Sequence, residues 1–220
     1  MTLIIKLDRI QTLAQNEYNI SIEDIRILMN LVSRSFKIHL VENGFDNRQI
    51  TKLTTKLRDA GRRSPPWKAF SSRIPGRPQD GADGNRTNRW LLDSDHKFHA
   101  NEIMATFVEI KYYLQCLSME GAPELPNNSI KTCFAFLLDH DVEPGQYLDP
   151  IQRIQIPLGE VIVDASIIQS GHLIPLDRNG RHIPINTFLM LKRSNQLQGN
   201  LTVNELLDLM YNILNNHNRI

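Results

Sequence analysis

Between Gly61 and Asn88 the chain sets Arg62, Arg63, Lys68, Arg73, Arg77 and Arg86 among Pro65, Pro66, Pro75, Gly76, Pro78, Gly81 and Gly84. Proline removes an amide donor and fixes φ, while glycine adds backbone freedom, so no regular helix or strand can run through this stretch. It reads as a long basic arm over residues 61–90, and it carries both tryptophans, Trp67 and Trp90. The charge follows the same division. Residues 48–97 hold twelve Lys/Arg against five Asp/Glu, and residues 98–170 hold three against ten. The net charge of +1 therefore hides a basic stretch able to meet a polyanion.

Helical periodicity brackets the arm. Ile22, Ile25, Leu28, Leu31, Val32 and Phe36 recur at three- and four-residue steps over 21–40, with Ser21 and Asp24 as a capping pair and Asn43-Gly44 as the stop. A second helix is expected over 47–60, with Ile50, Leu53 and Leu57 inward and Arg48, Lys52, Lys56 and Arg58 outward. A third is expected over 99–117. Strand-like segments are read at 154–156 and 160–168. A last amphipathic helix over 202–215 is expected to bury Val203, Leu206, Leu207, Met210 and Leu214. Cys116 and Cys133 show no CxxC spacing, which argues against a zinc finger and for a reducing compartment. The first ten residues mix Lys6, Asp8 and Arg9 into a short apolar run without a signal-peptide core, and a cytoplasmic address is expected. No membrane partner is expected.

The run that carries chemistry is Ser170-Gly171-His172, Pro175, Gly180, His182, Asn186, then Ser194-Asn195 and Gly199. It resembles the HNH, or ββα-metal, nuclease family: a His followed by x-x-Pro, a Gly-containing loop, an Asn opening the second strand and a polar residue on the next helix. The resemblance covers roughly residues 150–215. It implies an α+β fold, with a mainly helical recognition and dimerisation region over 1–150 and a ββα-metal module over 151–220. It implies phosphodiester hydrolysis with His172 as general base, Asn186 bonded to the far ring nitrogen of His172, and Asn195 as an oxygen ligand to one Mg²⁺ or Mn²⁺. Imidazole suits the base because it takes a proton near neutral pH, and a hard cation neutralises phosphate charge.

Two departures modify that expectation. Leu191 and Ser194 stand at the positions of zinc-ribbon cysteines, so no structural zinc is expected. Gly171 stands where most members carry an Asp metal ligand. A carboxylate is then sought from Asp164, or from Glu160, Asp139 or Asp141. The Asp139-His140-Asp141 cluster, His96 and His99 otherwise read as solvated turn residues. His182 is assigned to shaping the loop or touching phosphate. Arg62, Arg63, Lys68, Arg73, Arg77, Arg86 and Arg89 on the arm, with Arg178, Arg181, Lys192 and Arg193 near the motif, are the candidate DNA contacts.

The expected function is a sequence-specific endonuclease on double-stranded DNA, of the type II restriction class, acting as a homodimer so that one site per chain cuts each strand. The alternatives are an HNH nicking or modification-dependent nuclease, an RNA nuclease, and a DNA-binding protein without catalysis.

Overall fold

The computed structural model describes residues 3–65 and 86–219. Lys68, Arg73 and Arg77 lie outside the described residues, so only the two ends of the basic arm are placed.

Helix α1 (Leu3–Ala14) was not anticipated from its mixed sequence, yet it buries Leu7, Ile10, Leu13 and Ala14. Helix α2 (Ile22–Glu42) begins where the Ser21 side chain accepts the Asp24 amide, and the chain turns away at Gly44 with φ +90°. Helix α3 (Asn47–Arg62) is capped by Asp46, which accepts the Arg48 and Gln49 amides. Its buried face is Ile50, Leu53 and Leu57, and its outer face is basic.

Helix α4 (Glu102–Leu117) is the centre of the molecule. Every residue from Ala105 to Leu117 is buried, which requires neighbours all round the helix. Helices α2 and α3 pack on one side. Gly61 permits the close approach of α3: a Cβ there would lie 2.7 Å from the Glu109 Cα. On the other side α4 uses its buried polar residues as anchors, because polar atoms without partners are costly to bury. Lys111 Nζ donates to the Pro184 carbonyl at 2.7 Å and lies 3.5 Å from the centre of the Phe188 ring. The Leu189 amide donates to Gln115 Oε1 at 3.0 Å.

After short helices α5 (Asn128–Thr132) and α6 (Ala135–Leu138), the chain reaches α7 (Leu158–Val163). This corrects the strands read at 154–156 and 160–168. The former forms only an isolated bridge, Leu148 to Gln155, and the latter is mostly α7 and a 3-10 turn. Leu158, Val161 and Ile162 sit at helical spacing and bury one face, and that packing outweighs the β preference of the Val and Ile side chains.

Strand β1 (Ile168–His172) pairs antiparallel with β2 (Thr187–Leu191), with Ile168 opposite Leu191 and His172 opposite Thr187. Helix α8 (Lys192–Gln198) follows without a break, and α9 (Val203–Asn216) follows that. The chain is thus mixed: mainly helical, with one small two-stranded sheet among the described residues. A two-stranded sheet has two edges of unpaired amides and carbonyls, and side chains satisfy them here. On β2, the Leu189 carbonyl accepts the Tyr147 hydroxyl and the Leu191 amide donates to Asp149 Oδ2 at 2.8 Å. On β1, Lys56 Nζ donates to the Ile168 carbonyl at 2.6 Å. One apolar cluster runs from Leu7 to Leu189, joining α1–α7 to the hairpin.

The last helix departs from its expected burial. Of Val203, Leu206, Leu207, Met210 and Leu214, only Leu206 is buried. Among the described residues no helix is long and apolar enough to cross a membrane.

Candidate active site

The 14 residues joining β1 to β2 contain the motif loop, and Asn186 closes it. Its Oδ1 accepts the Ile174 amide at 2.8 Å, and its Nδ2 donates to the Ile174 and Arg181 carbonyls at 3.0 and 2.9 Å. Gly180 is required by close approach, since a Cβ there would lie 1.9 Å from the Ile174 carbonyl oxygen. Asn186 therefore spends its side chain on loop backbone. The bond expected from Asn186 to His172 is absent, and its place is taken by His182.

His182 is wholly buried, with Nε2 2.7 Å from the Gly61 carbonyl and Nδ1 3.1 Å from His172 Nε2. A carbonyl only accepts, so His182 Nε2 carries the proton. Nδ1 of the neutral ring then accepts from the Nε2–H of His172, and the remaining lone pair of that ring is on Nδ1. The last turn of α3 leaves its carbonyls without helical partners, and the chain of two imidazoles starts from one of them. His182 thus orients His172 rather than shaping the loop alone. Burial, with the Arg89 guanidinium nearby, lowers His172 to about 4. His182 is pushed well below its ordinary value by burial, then by Arg89 and His172. Both rings are neutral at pH 7.

His172 lines a cleft of about 560 Å³. Lys52, Thr55, Lys56 and Asp59 of α3 form one wall, Gln169, Ser170 and His172 of β1 another, with Arg86 and Arg89 at the end. Among the described residues four cationic side chains face one carboxylate, a balance that draws in an anion. Lys56 is lowered by burial, with Asp164 acting against that shift. Arg89 is 3% exposed and held at about 10 by burial; its NH1 donates to the Phe98 carbonyl at 3.1 Å, and its Nε has no partner among the described residues.

The remaining expected contacts scatter. Arg62 lies 3.7 Å from Glu109 and stacks over Trp90 at 5.2 Å. Arg63 and Arg86 pair with Asp59 at 3.6 and 2.9 Å. Arg178 pairs with Glu205. Arg181 lines a separate hollow with His96 and His99, and Lys192 and Arg193 line another with Gln152 and Ser166. His140 bonds the neighbouring Asp141 carbonyl at 2.7 Å. The cleft's Lys52, Lys56, Asp59, Gln169 and Ser170 were not identified from sequence. Lys52 and Lys56 are four apart and share a helix face, but nothing local says that this face lies beside β1.

The side chains near His172 do not fit a carboxylate-bound hard cation. Asp164 is exposed and spends Oδ1 on the Ser166 amide at 2.9 Å, outside the cleft. Asn195 Nδ2 donates to Gln169 Oε1 at 2.8 Å, and its Oδ1 is a neutral amide oxygen rather than a carboxylate. Asp59 lies within reach of the Arg58, Arg63 and Arg86 guanidiniums. Among the described residues no group of three or more His, Cys, Asp or Glu could share an ion. An acid before His172 would have to displace a core side chain: a Cβ on Gly171 would lie 2.3 Å from Met190 Cε, and Met190 is fully buried. Asp80 and Asp83 lie outside the described residues.

No family model matches the chain, and no curated protein matches it. Among solved structures it is similar to one described as a type II restriction endonuclease, with 18% identity and a TM-score of 0.47. The likeness covers 56% of this chain and 56% of that one, so it spans little more than half the length of either.

Proposed function

We propose that this protein is a DNA endonuclease of the HNH type, with His172 as the base that activates water. The observation carrying this reading is the Gly61–His182–His172 hydrogen-bond chain, which presents a neutral imidazole with one assigned lone pair at a cleft lined by Lys52, Lys56, Arg86 and Arg89. The order of hairpin, motif loop and helix, β1 to β2 to α8, supports the ββα reading.

In this reading a backbone phosphate enters the cleft and neutralises the surrounding cations. Burial is the main cause of the low His172 pKa, and the phosphate's charge offsets the smaller contribution of Arg89, so proton uptake by the ring becomes easier when phosphate is bound. His172 Nδ1 takes a proton from water, the water oxygen bonds to phosphorus, and the bond to the leaving oxygen breaks. Lys52, Lys56 and Arg86 stabilise the charge that builds on the phosphoryl and leaving oxygens. No step passes through a metal, because the described donors do not fit one. Double-stranded DNA, sequence specificity and restriction-type cleavage are part of the proposal; Arg86 of the arm lines the same cleft, and Arg63 pairs with Asp59 of its wall.

The test is cleavage of unmethylated phage DNA with Mg²⁺, with EDTA, and with His172→Ala. Discrete fragments lost in His172→Ala support the proposal. Cleavage by His172→Ala at the wild-type rate refutes it. The EDTA lane reads separately whether a solution cation is needed. A second reading, a DNA-binding protein without catalysis, is favoured because no carboxylate ligand set surrounds His172 among the described residues. Bound but intact DNA in every lane, methylated or not, selects it.

A further inference from the structure

Helix α9 carries an apolar surface that the described residues of its own chain leave uncovered. At 100° per residue, its apolar side chains occupy an arc of about 200° centred on Met210, twice the stripe that an ordinary surface helix buries. Leu206 alone is buried, while Leu207, Leu209, Met210, Tyr211, Ile213 and Leu214 are 42–61% exposed. The helix is nonetheless well specified. Thr202 and Glu205 form a complete capping box, and Glu205 also pairs with Arg178 of the motif loop. A firmly capped helix with this much exposed apolar surface is built for a partner.

We propose that this surface is an interface between two copies of this chain, related by a two-fold axis near Met210. Three observations favour a second copy. Val203, Leu207, Met210 and Leu214 follow 4-3-4 spacing, the seam along which paired helices interlock. The helix's acidic residues, Glu205 and Asp208, lie on the side away from the seam, so self-pairing brings no like charges together. The area also closes. Six side chains at about half exposure present on the order of 500 Å² of apolar surface, and two copies would bury about 1,000 Å², the size at which specific interfaces begin. The interface differs from the dimerisation region first expected within residues 1–150. It does not depend on the nuclease reading.

Sedimentation equilibrium of the full chain without DNA tests it. The wild type is expected to associate with a dissociation constant on the order of micromolar, and Leu207→Glu with Met210→Glu to weaken association by roughly 100-fold or more. Asn212→Glu, on the opposite face, is expected to leave it unchanged. Circular dichroism verifies that the variants keep their helix content. Met210→Cys is expected to give a disulfide-linked dimer under mild oxidation, from cysteines facing each other across the axis. A wild type that stays monomeric up to about 100 μM, or a dimer that survives the double glutamate variant, overturns the proposal. Because the readout is mass, a protein that dimerises without cutting DNA, or cuts without dimerising, separates this inference from the proposed function.

Discussion

Acidifying the protein from pH 7.5 to 5 tests the imidazole pair directly. His172 titrates near 4 in the fold and near 6.5 when unfolded, so between those values the unfolded chain binds the extra proton. A histidine with a depressed folded pKa contributes nothing to pH dependence well above 6.5. It costs stability progressively as pH falls from 6.5 to 4, and the loss is constant below. At pH 5 the cost from His172 is about 2 kcal/mol, from 1.5 pH units at 1.36 kcal/mol each. His182 adds a loss of the same sign. Glu109 works in the opposite direction, because burial raises its carboxyl, so the total curve mixes terms. The difference between wild type and His172→Phe isolates the ring. At pH 7.5 the variant is expected to be less stable by about 1–3 kcal/mol, since Nδ1 of buried His182 loses its donor. At pH 5 that gap is expected to shrink by about 2 kcal/mol, because the variant escapes the protonation cost. Urea titrations at pH 5, 6 and 7.5 measure both. A gap constant to within about 0.5 kcal/mol across that range refutes the buried neutral pair.

Three further outcomes follow from contacts at the site. Asn186→Ala removes three bonds that close the motif loop and is expected to cost about 2–4 kcal/mol in urea unfolding, with activity lost alongside. Gly171→Ala presses a methyl into buried Met190 and is expected to cost about 1–3 kcal/mol; a double-mutant cycle with Met190→Ala should show that the two changes couple. Lys52→Ala and Arg86→Ala are expected to weaken DNA binding across sequences, each lowering the slope of log K against log salt by about one, read by fluorescence anisotropy at several salt concentrations.

Local chemistry accounts for the elements that were legible. Ser21, Asp46 and Thr202 cap their helices through bonds reaching only two or three residues along the chain, so those starts can be read locally; the helix expected from 99 instead begins at Glu102, after its Asn101 cap. The segment 160–168 misled because Val and Ile suit both a strand and a short buried helix face. Its contacts with α3, brought from a hundred residues away, select the helix. The helix α9 was recognised and its buried face was not, because periodicity shows that a helix has an apolar side without showing what covers it.

The sequence by itself indicated helices α2, α3, α4 and α9, and it gathered His172, Gly180, His182, Asn186 and Asn195 into one run of chain, while α1, α5, α6 and α7 went unread. Only the tertiary structure decided which of these meet. Asn186 turned to loop backbone, Asn195 to Gln169, and His172 to His182, whose other nitrogen reaches Gly61 across 121 positions of chain. Lys52 and Lys56 joined the site because Gly61 lets α3 approach α4, while α4 also holds the hairpin through Lys111 and Gln115. Caps and periodicity act within a few residues, whereas a cleft is made by side chains that only long-range packing brings face to face.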